Sequence, residues 1–421
     1  MNDTFLAGGV FLLTYAIIVS ERIHRTIAAL AGGFLMILLG IVNQDEAFHA
    51  IDFNVIFLLA GMMIIANILS ETGLFQWLAV QAVKLGRRDP FKIMILLSFI
   101  TAIASAGLDN VTIVVLIAPV TLYVASNLGI SPIPLLISEV LASNIGGTST
   151  LIGDPPNILI GSAARIDFIT FLANMAPPVV ATMILFIPLS YFVFRRELTS
   201  LTDRRPRVGS LDTGDLITDQ TLLIKSLGVI AGVLIGFTLH GFLQLEPATI
   251  AMSGATVLLL LTGKDPHHVL QHIEWTTLFF FIGLFITVEA IVKVGIIEAI
   301  AQEALALTGG NLPLTAMFIL GLSAVASGIV DNIPYTAAMI PLVKSLGQGG
   351  LHIEPLWWAL ALGADFGGNF TLVGASANVV VASLAERSGY KITFATFLKY
   401  SFPITLVSIL VSVVYLWLRY L

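Results

Sequence analysis

The sequence predicts an all-α polytopic membrane protein made of two inverted-topology repeats, each with a re-entrant hairpin and a broken transmembrane helix. Three observations carry this expectation. The 421 residues are 57% hydrophobic and 11% charged, with a mean hydropathy of +0.97, whereas soluble domains carry about 25% charged residues. A polar, glycine-rich stretch, SNIGGTSTLIGDPPN from Ser143 to Asn157, interrupts an apolar segment and returns in the second half as DFGGNFTLVGASAN, Asp365 to Asn378. Lys and Arg are distributed over the connecting loops differently in the two halves. The net charge of −6, without a long basic run, gives no support to nucleic-acid binding. The absence of Cys removes disulfides, thiolate ligands and Cys nucleophiles together.

A span needs about 20 apolar residues, fewer where it is broken or re-entrant. In the first half the apolar stretches are 5–20, 26–42 and 53–70, then a pair at 93–108 and 111–126 joined at Gly107-Leu-Asp109-Asn110. They continue with 134–165, which holds the first break, and 172–194. The 5–20 stretch lacks an A-x-A-like cleavage site and reads as a retained first span. The second half offers 222–240, 249–262, 276–292, a pair at 314–328 and 335–347, the interrupted 355–385, and 397–419. The expected organisation is an N-terminal repeat over 1–194, a cytoplasmic linker over 195–219 and a C-terminal inverted repeat over 220–421.

The halves align in two gapless stretches, at an offset of 222 through the hairpin and of 221 in the break motif. Gly61 meets Gly283, Gly73 meets Gly295, Pro119 meets Pro341, and Asp109-Asn110 meets Asp331-Asn332. In the break motif Gly146 meets Gly367, Gly147 meets Gly368, Thr150 meets Thr371, and Asn157 meets Asn378. Charge then sets orientation. Lys84, Arg87, Arg88 and Lys92 surround the loop before the first hairpin, while its counterpart at 306–314 has no Lys or Arg. Arg22 and Arg25 follow the first span, and 243–247 has neither residue type. Arg195, Arg196, Arg204, Arg205 and Arg207 place the linker in the cytoplasm by the positive-inside rule, and Arg387 and Lys391 place the loop before the last span there as well. One orientation satisfies all of these only if 93–126 and 314–347 enter and leave on the same side. Each half then crosses an odd number of times, and the second copy is upside down.

Inverted repeats with interrupted helices are the pattern of secondary transporters, whose site lies near the midplane. Non-helical backbone survives in hydrocarbon only where it lines a polar cavity or is buried in protein. Gly146 and Gly147 read as permitting an unwound segment, and Pro155-Pro156 as restarting the helix. The solute-facing candidates are Asn110, Asn144, Gly146, Gly147, Thr148, Thr150 and Asn157, with Asn332, Asn369, Thr371 and Asn378 from the second copy. An Asp at the bilayer centre costs about 2.5–3.5 kcal/mol on insertion scales, so Asp109, Asp154, Asp331 and Asp365 are the candidates for proton or ion coupling. The competing reading for Asp109, Asp331 and Asp154 is a helix cap. Asp365 stands where the first copy has Asn144, a difference of one charge at which a proton or cation could bind. Glu139 either faces the cavity or pairs with polar groups nearby. Lys293 and Lys344 read as snorkelling, and His267, His268 and His272 as surface residues in place of a metal site. No cofactor is expected. Walker A, H-E-x-x-H and G-x-S-x-G sequences are absent, so ATP-driven transport by this chain and common hydrolase chemistry have no support.

These motifs resemble the ion transporter superfamily, in the branch that holds ArsB-type arsenite permeases, NhaD-type sodium/proton antiporters and the P protein. The resemblance spans essentially the whole chain and rests on the N-I-G-G-T-x-T-L-I-G-D-P-P-N segment, its second copy and the two Asp-Asn hairpins. It implies a scaffold domain, a mobile transport domain with elevator-like alternating access and frequent homodimerisation; the expected location is the inner (plasma) membrane, with room for a cytosolic ATPase subunit. Arsenite or antimonite efflux against inward protons is placed first, because neutral polyols suit a hydroxyl and amide lining. Na+/H+ exchange, with the same carboxylates as cation ligands, comes second, and organic anion transport last, since no Lys or Arg converges on the break motifs in the sequence.

Overall fold

The structure is a computed structural model and describes residues 3–20, 22–87, 89–199 and 216–421. Most of the expected linker, with Arg204, Arg205 and Arg207, lies outside the described residues, as does Arg88. The described residues form helices and no strand. The first half contains α1 (Asp3–Ser20), α2 (Arg25–Leu38), α3 (Gln44–His49), α4 (Phe53–Ser70), α5 (Leu74–Leu85), α6 (Pro90–Gly107), α7 (Asn110–Leu128), α8 (Ile133–Gly147), α9 (Pro155–Ala164) and α10 (Phe168–Thr199). The second contains α11 (Gln220–Leu243), α12 (Pro247–Thr262), α13 (Pro266–Gln271), α14 (Trp275–Lys293), α15 (Ile296–Thr308), α16 (Leu312–Ile329), α17 (Asn332–Gln348), α18 (Glu354–Gly368), α19 (Ser376–Arg387) and α20 (Phe394–Arg419). Each helix of the first half has one counterpart in the second, in the same order.

Four of these helices were not read from hydropathy. α3 and α13 are short; Asn43 and Glu46 close a capping box on α3, and Asp265 caps α13. α5 and α15 carry Gln76, Gln81 and Lys84, or Glu298, Gln302 and Glu303, along one face, too many polar residues to read as spans. Each starts after a left-handed glycine, Gly73 at φ 77° and Gly295 at φ 78°, a backbone state that only glycine adopts without strain.

The inversion can be seen in which ends touch. Asn67, near the end of α4, donates its amide to His272 O just before α14 begins (2.9 Å). Lys293, at the end of α14, pairs with Glu46 just before α4 begins. The counterparts α4 and α14 therefore run in opposite directions. Lys293, expected to snorkel, is held in this ion pair.

Lipid offers little hydrophobic drive between helices, so association relies on close packing of small residues. α2 packs on α14, and α4 on α12, through glycine. A Cβ at Gly283 would lie 2.4 Å from Ala29 C, and one at Gly61 would lie 2.8 Å from Ala251 C. With α1 and α11 these helices form one packed group. The hairpins α6–α7 and α16–α17 pack on the broken pairs α8–α9 and α18–α19 in a second group, with α10 and α20 beside them. Every residue of Pro134–Gly147 and of Pro355–Gly368 is buried, so α8 and α18 are the centre of the molecule.

Nine helices among the described residues are long and apolar enough to cross a membrane, and α6, α7 and α16 are among them. Length alone would make these three spans. The loops decide otherwise: Asn110 and Asn332, at the tips of the two hairpins, both reach the carboxylate of Asp154. Hairpins that approach from opposite faces and meet at one group each turn back inside the membrane.

Candidate transport site

The first break runs over 148–154 and the second over 369–375. Gly146 and Gly147 are the last residues of α8, with helical backbone, and neither has positive φ. The expectation that they unwind the chain is corrected here. Their missing side chains serve close approach: a Cβ at Gly146 would fall 2.1 Å from Ala102 O of α6, and one at Gly147 would fall 2.7 Å from Gly153 O. Gly367 repeats the first contact, 2.6 Å from Ala324 O. Pro155 and Pro156 do open α9, where their missing N–H groups are no loss.

The polar backbone of each break is paired off in the same way twice. Thr150 Oγ1 donates to Ala106 O of α6, and Thr371 Oγ1 donates to Gly328 O of α16, both at 2.6 Å. Asn157 Nδ2 donates to Gly147 O and Thr150 O (3.2 and 3.1 Å). Asn378 Nδ2 donates to Gly368 O and Thr371 O (2.9 Å each). Thr148 donates to Asn144 O, and Ser149 to Gly146 O. The donors of Thr148, Thr150 and Thr371 are thus used on backbone, and their oxygens retain only acceptor capacity. This bonding makes each break a rigid element tied to the tip of its own hairpin.

The repeats join through side chains. Asn144 Nδ2 donates across the interface to Asn369 Oδ1 (2.8 Å) and Asn378 Oδ1 (3.0 Å), and Asn369 Nδ2 donates to Leu141 O (3.2 Å). Asn110 Nδ2 donates to Asn144 Oδ1 (3.2 Å) and to Asp154 Oδ2 (3.1 Å). Asn332 Nδ2 lies 3.4 Å from the same Asp154 oxygen. Asp154 occupies the N-cap position of α9 but makes no capping bond; its carboxylate serves the two hairpin tips. Asp365 faces Thr148 and Asn157, the counterparts of the pair that Asn144 meets. It is fully buried, and neither of its oxygens, nor Asn157 Oδ1, has a hydrogen-bond partner of good geometry.

Asp109 and Asp331 cap the second arms of their hairpins. Asp109 accepts from Thr112 N and Oγ1 (2.9 and 3.0 Å), and Asp331 accepts from Ile333 N (3.0 Å). Asp331 has a second function: Arg25 Nη1 lies 3.0 Å from its Oδ2, Ser376 Oγ donates to it at 2.7 Å, and Arg25 also donates to Ser376. A cation does therefore reach the edge of the second break, against the sequence expectation, because 306 residues separate Arg25 from Asp331. Asp109, Asn110, Asp154, Asn332, Ser376 and Arg25 are among the residues that line a central cavity of about 20 Å³, room for about one water. Glu139 lies along α8 away from this cavity, buried and bonded to Thr121. His267, His268 and His272 are exposed on and beside α13.

Two features of the site were missed in the sequence. Arg25 is one. The other is that Asp154 answers to Ala375, so each break carries one carboxylate at a different place: Asp154 in the first and Asp365 in the second. The gapless alignment contained the second signal; the first needed the fold.

The citrate transporter family, CitMHS, matches residues 15–363. The chain belongs to this family. It is a multi-pass membrane protein and a secondary transporter of the ion transporter superfamily. An uncharacterized transporter of Mycobacterium tuberculosis is 47% identical to it over 99% of both chains. The 46 kDa membrane protein of Mycobacterium leprae is 43% identical, again over 99% of both. The human P protein is 34% identical over 98% of this chain and 59% of its own length. The crystal structure of the Alcanivorax borkumensis YdaH transporter shares the fold, with a TM-score of 0.61 over 99% of this chain and 98% of that one, at 16% identity.

Proposed function

We propose that the chain exports arsenite or antimonite in exchange for protons across the plasma membrane. In this reading the hairpins and broken helices move as one body against α2, α4, α12 and α14. The observation that carries it is Asp365, a buried carboxylate that faces Thr148 and Asn157 without a hydrogen bond of good geometry, beside a network of neutral amides. A carboxylate there can carry the exchanged proton, taking it up and releasing it as the site opens to either face. The amides of Asn110, Asn144 and Asn332 both donate and accept, which suits a small neutral polyol such as As(OH)3.

Charge weighs against the citrate of the family's name as the solute. Among the described residues, Asp109, Asp154, Asp331 and Asp365 gather round the site, and the cation there, Arg25, already faces Asp331. A tricarboxylate would meet net negative charge in a low-dielectric setting. Sodium/proton exchange is the second reading, favoured by Asp154 lying between Asn110 and Asn332, which together could offer oxygen ligands to a cation.

The test is expression in an arsenite-sensitive host together with everted vesicles. Restored growth on arsenite, lower cell arsenic and arsenite uptake driven by an imposed pH gradient are expected. Sodium-dependent proton movement without any of these would replace the first reading by the second.

A further inference from the structure

Arg25 is the first residue of α2, a poor place for a cation because it faces the positive end of the helix dipole. Its counterpart in α12 is Pro247, the residue type that suits a first helical position. The Arg25 side chain turns to other partners. It bonds Asp331 at the tip of the second hairpin and Ser376 at the start of α19, and its guanidinium stands 5.3 Å from the centre of the Phe280 ring of α14. Arg25 and Phe280 belong to the packed group of α2 and α14; Asp331 and Ser376 belong to the group of hairpins and broken helices. The contact therefore bridges the two groups. On the opposite side nothing equivalent exists among the described residues: Asp109 and Pro155 correspond to Asp331 and Ser376, and Asp109 has no ion pair within 4.0 Å.

Two cavities related by the repeat symmetry differ in the same sense. One, of about 680 Å³, includes His240, Leu245, Glu246, Pro247 and Ile158 in its lining. The other, of about 250 Å³, has the counterparts Ile18, Ile23, His24, Arg25 and Val379, together with Asp331 and Ser376. The smaller cavity is the one with the Arg25 bridge.

We propose that Arg25 is a one-sided latch. Bonded to Asp331 and Ser376, it holds the second hairpin and α19 against α2 and keeps the Arg25 face closed, and this contact breaks each time that face opens. Because the other face has Pro247 in place of Arg25, the two openings of the cycle are controlled unequally. The proposal rests on the two-body movement described under Proposed function but not on the identity of the solute.

The chain has no Cys, so one introduced thiol reports one place. Val379→Cys reports the smaller cavity and Asn54→Cys the larger. Each is made alone and with Arg25→Gln or Asp331→Asn; Asn at 331 can still cap α17. The probe is a membrane-impermeant maleimide applied to right-side-out and to everted vesicles. Both latch variants are expected to label Val379→Cys about tenfold faster or more, with Asn54→Cys labelling unchanged or slower. Unchanged Val379→Cys labelling in variants that purify as monodisperse protein overturns the latch. If Arg25→Gln does not yield such protein, Asp331→Asn alone decides. Failure of arsenite transport in the parent chain would leave this reading of the labelling intact.

Discussion

Asn144 and Asp365 hold equivalent places in the two repeats and meet opposite physical demands. Asn144 donates two hydrogen bonds across the interface and accepts one from Asn110; an Asp there would set a carboxylate against the oxygens of Asn369 and Asn378. Losing buried hydrogen bonds costs about 1–3 kcal/mol for each unsatisfied group, so Asn144→Asp is expected to destabilise the protein by about 2 kcal/mol or more. Asp365 has no such bond to lose, and removing a buried ionisable group relieves its desolvation. Asp365→Asn is therefore expected to melt no lower than the parent chain while losing proton-driven uphill transport. Thermal unfolding of the purified protein in detergent and vesicle uptake under a pH gradient measure both. An Asp365→Asn variant that melts much lower than the parent would mean that the carboxylate holds the fold together. Asp154 makes a useful contrast, since Asp154→Ala would copy Ala375 of the second break. It would also strip acceptors from Asn110 and Asn332, and the same melting assay is expected to register a loss of about 1–3 kcal/mol.

The broken helices stood out in the sequence because polar residues are conspicuous in an apolar chain, and the double proline marked the restart. Glycine was harder to interpret, because it permits both an unusual backbone state and close approach. At Gly295 the first applies alone, with φ 78°, and at Gly73 both do, with φ 77° and a Cβ position 1.8 Å from Leu216 O; at Gly146 and Gly367 the second does. The periodicity of one segment cannot distinguish these uses, since the deciding neighbour, Ala102 or Ala324, lies on another helix. The distinction yields a prediction at this scale. Gly146→Ala places a methyl 2.1 Å from backbone that cannot step aside, forcing α6 and α8 apart. Overpacking of this kind costs about 1–3 kcal/mol, occasionally more. Gly228→Ala, on α11 with nothing within 4 Å of the added atom, should instead stabilise by about 0.5–1 kcal/mol through helix propensity. Melting temperatures of the two variants in the same detergent are expected to move in opposite directions; equal shifts would remove close approach as the reason for Gly146.

Across the whole molecule the two repeats are interleaved. Their separation was legible because Asp109-Asn110 and Asp331-Asn332 fix one register, and unequal loop charge fixed the orientation. Which helices would meet was not legible, since neighbours in the fold are distant in the sequence: α2 seats on α14, α4 on α12, and Arg25 on Asp331. Symmetry explains why these partners lie in the opposite half. A single repeat carries α2 and α4 but not the surfaces that their glycines fit, and its Asn110–Asp154 pair lacks Asn332. Each half alone would thus expose Gly61 or Gly283 and leave buried amides without acceptors. Splitting the chain between residues 200 and 215 tests this dependence. Co-expressed halves, with an affinity tag on only one, are expected to purify together and to melt as one cooperative unit. Either half expressed alone is expected to aggregate or be degraded. A tagged N-terminal half that purifies alone as a monodisperse species with a melting transition close to that of the full chain would show that the repeats fold independently, and that the α2–α14 and α4–α12 contacts form late and add little.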